Sequence, residues 1–305
     1  MLGDRTHSGG LRLQVPSKVA LRDVTLRDGL QSESIRLDLR QKISLAKGIR
    51  DSGIRELEIT AFVHPDRVPA MADAEELWAA LAGEDGLTCS ALVFNRRGLE
   101  RAIKVHAGRI AVMVSASDAH SRSNTGQGTD EALLEALEVI AQAKGAGLET
   151  RSGVICAFGC NLEGKVPLAR VLEIAAALAA TAPAEMTLAD TSGTGDPRQI
   201  AERVTAVREI IGDCRLSLHL HNASGWAFAN LLAALQIGVR VYDVTLGGLG
   251  GCPFLPGAAG NLPAGRVVSF LENLGVKTGV DPLALRAAQE ELERFLGRAL
   301  VPAAL

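Results

Sequence analysis

Eight short apolar runs alternate with longer amphipathic segments along this 305-residue chain, and that alternation limits the fold more than any other feature. The runs are Val19–Leu26, Ile54–Ala61, Leu87–Phe94, Arg109–Ala116, Glu149–Ala157, Glu185–Ala189, Arg215–His221 and Val239–Leu246. Helical spacing of apolar residues lies between them, at Asp38–Ser52, Ala70–Ala82, Arg97–His106, Thr129–Gly147, Pro167–Thr181, Pro197–Ile211 and Gly225–Ile237. Two more helical patterns, Gly265–Leu274 and Pro282–Leu296, follow the eighth run. Repeated β–α units in this order specify a parallel sheet of the α/β class. Eight of them close it into a (β/α)8 TIM barrel, here with extra C-terminal helices. Helix punctuation agrees. Asp196-Pro197 forms an N-cap and a first-turn proline, and Gly53, Gly147, Gly212 and Gly238 stand where helices should stop. No G-x-G-x-x-G follows the first run, which argues against a dinucleotide-binding sheet.

Aromatic residues make up only 3% of a chain that is 47% hydrophobic, so the core must be built from Ala, Val, Leu and Ile. Such residues suit a parallel sheet covered by helices. A net charge of −3 with both signs interspersed offers neither a nucleic-acid groove nor a basic membrane-binding face. No apolar run approaches the ~20 residues that span a bilayer. The five scattered cysteines, Cys89, Cys156, Cys160, Cys214 and Cys252, do not form a disulfide framework, and a cytoplasmic location is expected. Residues 1–17 lack the apolar stretch of a secretory signal and read as a flexible arm before a single catalytic domain over 18–305.

Barrel enzymes carry their chemistry at the C-terminal ends of the strands. Seven residue groups fall there: Thr25 to Gln31, Glu58 with Thr60, Arg151, Asp190-Thr191, His219 with His221, the glycine-rich Gly247 to Pro253, and Asn261. His219 and His221 are two apart on a strand and so share a face. One carboxylate, two imidazoles and one amide oxygen, from Asp28, His219, His221 and Asn261, can hold an octahedral divalent ion with positions left for substrate. That donor set suits Mg²⁺ or Mn²⁺. Such an ion lowers the pKa of a hydroxyl, and Arg27 can neutralise an oxyanion beside it. Together these parts suit carbon–carbon cleavage β to a carbonyl, with an enolate as leaving group. Cys252 reads either as a thiol on a flap that protonates the enolate or as a small buried residue under a tight turn. A phosphate cradle is a third use for the glycines, although no lysine follows in P-loop register.

The same residues resemble the 3-hydroxy-3-methylglutaryl-CoA lyase family of the DRE-TIM metallolyase superfamily. Arg27-Asp28-Gly29-Leu30-Gln31, His219-Leu220-His221 and Gly248-Leu249-Gly250-Gly251-Cys252-Pro253 with Asn261 carry the likeness. It runs from Val19 to Val280 and takes in Glu58, Asn124, Glu163-Gly164-Lys165 and Asp190-Thr191. The resemblance implies a metal at Asp28, His219, His221 and Asn261, with His219 serving also in proton transfer. It implies Arg27 on the enolate oxygen, Cys252 as the flap thiol, and Glu58 and Asp190 organising the site. Gln31, Arg151 and Asn124 would face the bound acyl-CoA, and a homodimer is implied. Condensing relatives have Glu where Leu30 stands, so cleavage is expected. An acyl-CoA/keto-acid transferase and a CoA-independent 4-hydroxy-2-oxo acid aldolase remain as alternatives. The chain departs from the family at Asn222, where Asp is typical, at Ala61, where Ser is usual, and at His64. Gly153 replaces a tyrosine that contacts substrate, which predicts an open space there and a bulkier or different 3-hydroxyacyl thioester.

Overall fold

The computed structural model describes residues 13–250 and 260–303. Its eight strands are β1 Ala20–Asp23, β2 Glu56–Ala61, β3 Thr88–Leu92, β4 Arg109–Ser115, β5 Glu149–Ile155, β6 Glu185–Asp190, β7 Arg215–Leu220 and β8 Val241–Val244. All pair in parallel in sequence order, and β8 returns to β1 to close the barrel. The helices are α1 Leu39–Asp51, α2 Ala74–Leu81, α3 Arg96–Lys104, α4 Asp118–Thr125, α5 Thr129–Gly145, α6 Leu168–Ala179, α7 Pro197–Ile211, α8 Ala227–Gln236, α9 Ala264–Asn273 and α10 Pro282–Leu296.

Local signals explain the helix ends. Asp38 and Asp196 each accept the backbone N–H three residues on, while Gln41 and Gln199 reach back to the cap residue's own N–H. Gly147 and Gly238 take positive φ where α5 and α8 stop. Helix α10 packs across α1, where Ser44 donates to Glu291 at 2.7 Å. The described end of the expected arm is docked, because Ser17 accepts the Lys277 N–H at 2.9 Å. Most of that arm, residues 1–12, lies outside the described residues.

The apolar core sits between sheet and helices. Leu57, Ile59, Val112, Val154, Leu188 and Leu218 point outward from the strands to meet Leu45, Ile49, Leu77, Ile140, Ile174 and Val204. Alternation turns the other strand residues inward, and there the barrel is charged. Arg22 bridges Asp243 at 3.0 Å, Glu185 at 2.6 Å and Glu56 at 3.1 Å. Arg215 joins Glu56 from β7 at 2.7 Å. These pairs plug the N-terminal end and leave the C-terminal end to the site.

Two elements depart from the sequence expectation. The first run does not stay extended to Leu26. Thr25–Gly29 winds into a π-helical turn, with Gly29 and Leu30 donating back to Val24 and Thr25 at 3.1 and 2.9 Å. Asp23 starts the turn by accepting both the N–H and the hydroxyl of Thr25. Helix α4 carries little apolar periodicity and was not expected. It is set instead by Ser117, which accepts the His120 N–H, and by left-handed Gly126 at its end.

Candidate active site

The π-helical turn aims Arg27 and Asp28 across the barrel mouth, and π-bulges recur at functional sites because they redirect side chains. Two strands round the wall, β7 presents His219, and His221 follows directly after the strand's end. Their Nε2 atoms lie 2.9 Å apart, and they lie 3.8 and 3.6 Å from Asp28 Oδ2. One ligand atom from each of Asp28, His219 and His221 fits within 4.8 Å of the others, and all three residues are buried. Asn261 pairs with His221 through an isolated antiparallel bridge and donates from Nδ2 to Asp28 Oδ2 at 2.7 Å. The structure therefore brings together the four residues expected to hold a metal.

Gly250 is pressed against this cluster. A Cβ there would meet Asn261 Nδ2 at 2.5 Å and Asp28 Oδ2 at 3.3 Å. The glycine loop thus serves close approach as well as freedom. Its continuation, residues 251–259 with the expected thiol of Cys252, lies outside the described residues.

Two orphaned buried atoms test whether these residues suit a cation. His221 Nδ1 and Asn261 Oδ1 are buried with no hydrogen-bond partner among the described residues. An amide oxygen left unpaired beside a carboxylate and two imidazole nitrogens is a donor set awaiting an electropositive centre. The residues fit the group.

Asp243, from the middle of β8, was missed in the sequence. Its Oδ2 accepts from His219 Nδ1 at 3.2 Å, the carboxylate–imidazole pairing that fixes a ligand's tautomer. The signal was available: an acid inside the buried strand Val241–Val244 needs buried partners. Because Nδ1 is committed to Asp243, both roles expected of His219 must run through Nε2.

Glu58 is fully buried and grips two guanidiniums, Arg27 through Nε and Arg151 through Nη2. Arg27 also meets Asp28 at 2.5 Å, leaving its Nη2 without a protein partner among the described residues. Burial works to raise the Glu58 pKa, but Arg27 and Arg151 more than offset it, and the group stays below its ordinary value. Asp28 behaves likewise: burial opposes ionisation, yet Arg27 and the two imidazoles hold it well below the usual carboxylate range.

The other expected site residues divide between this centre and its surroundings. Gln31 is adjacent, donating to Asp28 Oδ1 at 2.9 Å. Arg151 is not at the mouth. It is 2% exposed, one layer below, between Glu58 and Asp243, and this placement corrects the expectation that it faces the acyl-CoA. A residue two positions before the mouth-level Gly153 on the same strand face sits deeper in the barrel. Asp190 holds the loop after β6 by accepting the N–H groups of Thr194 and Gly195. Asn124 is half-buried in α4, with no side-chain bond to the cluster among the described residues. The open space expected at Gly153 is closed. A Cβ there would meet Met113 Sδ at 2.5 Å and Thr187 O at 2.7 Å.

Residues 18–292 match the HMGL-like family model. The chain is 36% identical to hydroxymethylglutaryl-CoA lyase YngG of Bacillus subtilis, over 93% of this chain and 95% of that one. It is also 36% identical to (R)-citramalyl-CoA lyase of Chloroflexus aurantiacus, over 92% of each. A structure of an HMG-CoA lyase from Acinetobacter baumannii, in complex with coenzyme A and 3-methylmalate, superposes with a TM-score of 0.90. It has 31% identity and covers 94% of this chain and 93% of that one. No helix among the described residues is long and apolar enough to cross a membrane. With a mouth that gathers Arg27, Asp28, His219 and His221 at one point and lyases alike along nine-tenths of its length, the chain belongs to the HMGL-like family of hydroxymethylglutaryl-CoA lyases and is a carbon–carbon lyase.

Proposed function

We propose that this enzyme is a divalent-metal-dependent lyase that cleaves a 3-hydroxyacyl-CoA to acetyl-CoA, or another acyl-CoA, and a keto acid or ketone. The convergence of Asp28, His219 and His221 on one point carries the reading. The names of the relatives, which act on acyl-CoA thioesters, and the coenzyme A in a similar structure support it. Asp28, His219, His221 and Asn261 hold the cation, Mg²⁺ or Mn²⁺, which supplies Lewis-acid polarisation of the substrate's oxygens.

The chain's own residues do the rest. The 3-hydroxyl proton passes to His219 Nε2, and the cation would make that hydroxyl more acidic. Asp243 stabilises the resulting imidazolium. The O–H electrons form the new carbonyl, and the C2–C3 bond breaks with its pair moving onto the thioester as an enolate. Arg27, held rigid by Glu58, offers its free Nη2 to that enolate oxygen. Cys252 returns a proton to carbon 2. Asp190 keeps the neighbouring loop in place, and Gln31 orients Asp28. Asn124 and the loops at the mouth line the path of the acyl-CoA. A homodimer is the assembly implied by the family likeness.

The test is turnover of 3-hydroxy-3-methylglutaryl-CoA and citramalyl-CoA with Mn²⁺, by wild type and Asp28→Asn. Wild type should release acetyl-CoA and a keto acid, and lose activity on chelation. Asp28→Asn should lose both Mn²⁺ binding and at least about 10³-fold in kcat. Activity that survives chelation and this substitution contradicts the proposal. Free CoA formed from acetyl-CoA plus a keto acid would establish the condensing transferase instead.

A further inference from the structure

Strands β4 and β5 run in register with Met113 opposite Gly153. Arg151 faces the barrel interior, so Gly153, two residues on, faces it too and lies one layer nearer the mouth. The thioether of Met113 occupies the space that a side chain at 153 would take. Met113 is only half-buried, while Val112 and Val114 beside it are at most 2% exposed, so its tip reaches the open mouth. It belongs to an apolar cluster separate from the main core, with Ala61, Met71, Leu92, Ala111 and Phe94. The mouth therefore has two halves. The π-helical turn, β7 and β8 supply the ionic one, and β2 to β4 supply an apolar one.

We infer that Met113 is a specificity-determining residue: the apolar half receives an alkyl group on carbon 3 of the substrate, and Met113 sets how long that group can be. The inference rests on the acyl-CoA lyase reading above. The ionic half takes the hydroxyl and the thioester arm; of the two substituents left on carbon 3, the carboxymethyl is charged and the alkyl group is the one that suits the apolar half at β2 to β4. A flexible, unbranched thioether suits this place because it fills the gap left by Gly153 and still yields to a ligand.

The test is kcat/KM for wild type, Met113→Ala and Met113→Leu on 3-hydroxy-3-alkylglutaryl-CoAs carrying methyl, ethyl, propyl or butyl, with thermal midpoints recorded. A methylene in an apolar pocket discriminates by about 10- to 200-fold. Met113→Ala should therefore raise the propyl-to-methyl ratio at least about 10-fold and move the optimum to a longer chain. Met113→Leu, which conserves volume, should keep the wild-type order. Should the alanine variant fail to fold, Met113→Val should show the same shift to a smaller degree. An unchanged chain-length order in a folded Met113→Ala or Met113→Val, with only the thermal midpoint lowered, overturns the inference and leaves the lyase reading standing. Wild type that cleaves citramalyl-CoA but none of the series also overturns the inference alone, and wild type that cleaves neither overturns both.

Discussion

Asp243 shows how one residue links the barrel's interior to its chemistry. Its carboxylate accepts from Arg22 below, Arg151 beside and His219 above, at 3.0, 3.3 and 3.2 Å. Partners that orient a metal-ligating histidine are commonly worth about 10- to 100-fold in metal affinity or activity. Asp243→Asn should therefore lower kcat and Mn²⁺ affinity by about that factor. Paired kinetics and titration check it, and an unchanged affinity would remove Asp243 from the account. Gly153→Ala makes an opposite kind of claim. Its Cβ would press on the Thr187 backbone as well as on Met113, and overpacking of that kind costs about 1–3 kcal/mol, read as a lowered denaturant midpoint. The clustering of Asp28, His219, His221 and Asn261 was legible because Asp, His and Asn sit at strand ends in a recognisable pattern. Asp243 was marked only as an acid inside a buried strand, and a single acid there has no spacing partner to say that it pairs with His219. Arg151 was misplaced because sequence marks the strand but not the depth.

At the level of elements, the strands and most helices were legible because burial on one or both faces leaves an apolar rhythm. The π-helical turn was not. Its bonds reach back five residues, a spacing without an apolar signature, and Thr25-Leu26 extends the strand pattern beyond its true end at Asp23. Thr25 binds the turn together: its hydroxyl donates to Asp23 and accepts from the Leu246 N–H at 2.8 Å. Thr25→Val strands the buried Leu246 N–H and Asp23 Oδ2, while Asp23 Oδ1 keeps the backbone N–H of residue 25. We expect it to destabilise by about 1–3 kcal/mol for each stranded group and to lower kcat by displacing Arg27 and Asp28. Asp38→Ala, which removes only the cap of α1, should cost about 1 kcal/mol and leave kcat unchanged. Chemical denaturation with activity assays separates the two effects.

For the molecule as a whole, the barrel replaces an apolar interior with an ionic lattice from Arg215 and Glu56 at one end to Arg27 and Asp28 at the other. Buried ion pairs of this kind are poor sources of net stability but penalise misplaced partners. Glu56, Glu58 and Asp243 all titrate below their ordinary values; burial opposes this, while Arg215, Arg22, Arg27 and Arg151 prevail. A depressed carboxylate pKa contributes stability that is present above the unfolded value, near 4, and is lost as pH falls through the folded one. The melting temperature should therefore drop steeply below about pH 4. Asp23 has the opposite sign, because burial raises its pKa to about 7. Its contribution is lost as pH rises through that value, and Asp23→Asn should flatten the melting curve's pH dependence on that side.

Asp28, His219, His221 and Asn261 are proposed to share one catalytic cation. Anomalous diffraction from crystals soaked in Mn²⁺ tests this sharing most directly, with activity assayed on the same preparation. A single strong peak is expected at coordinating distance from all four side chains, absent in Asp28→Asn. A peak elsewhere, or an active enzyme with no peak between these residues, would contradict it.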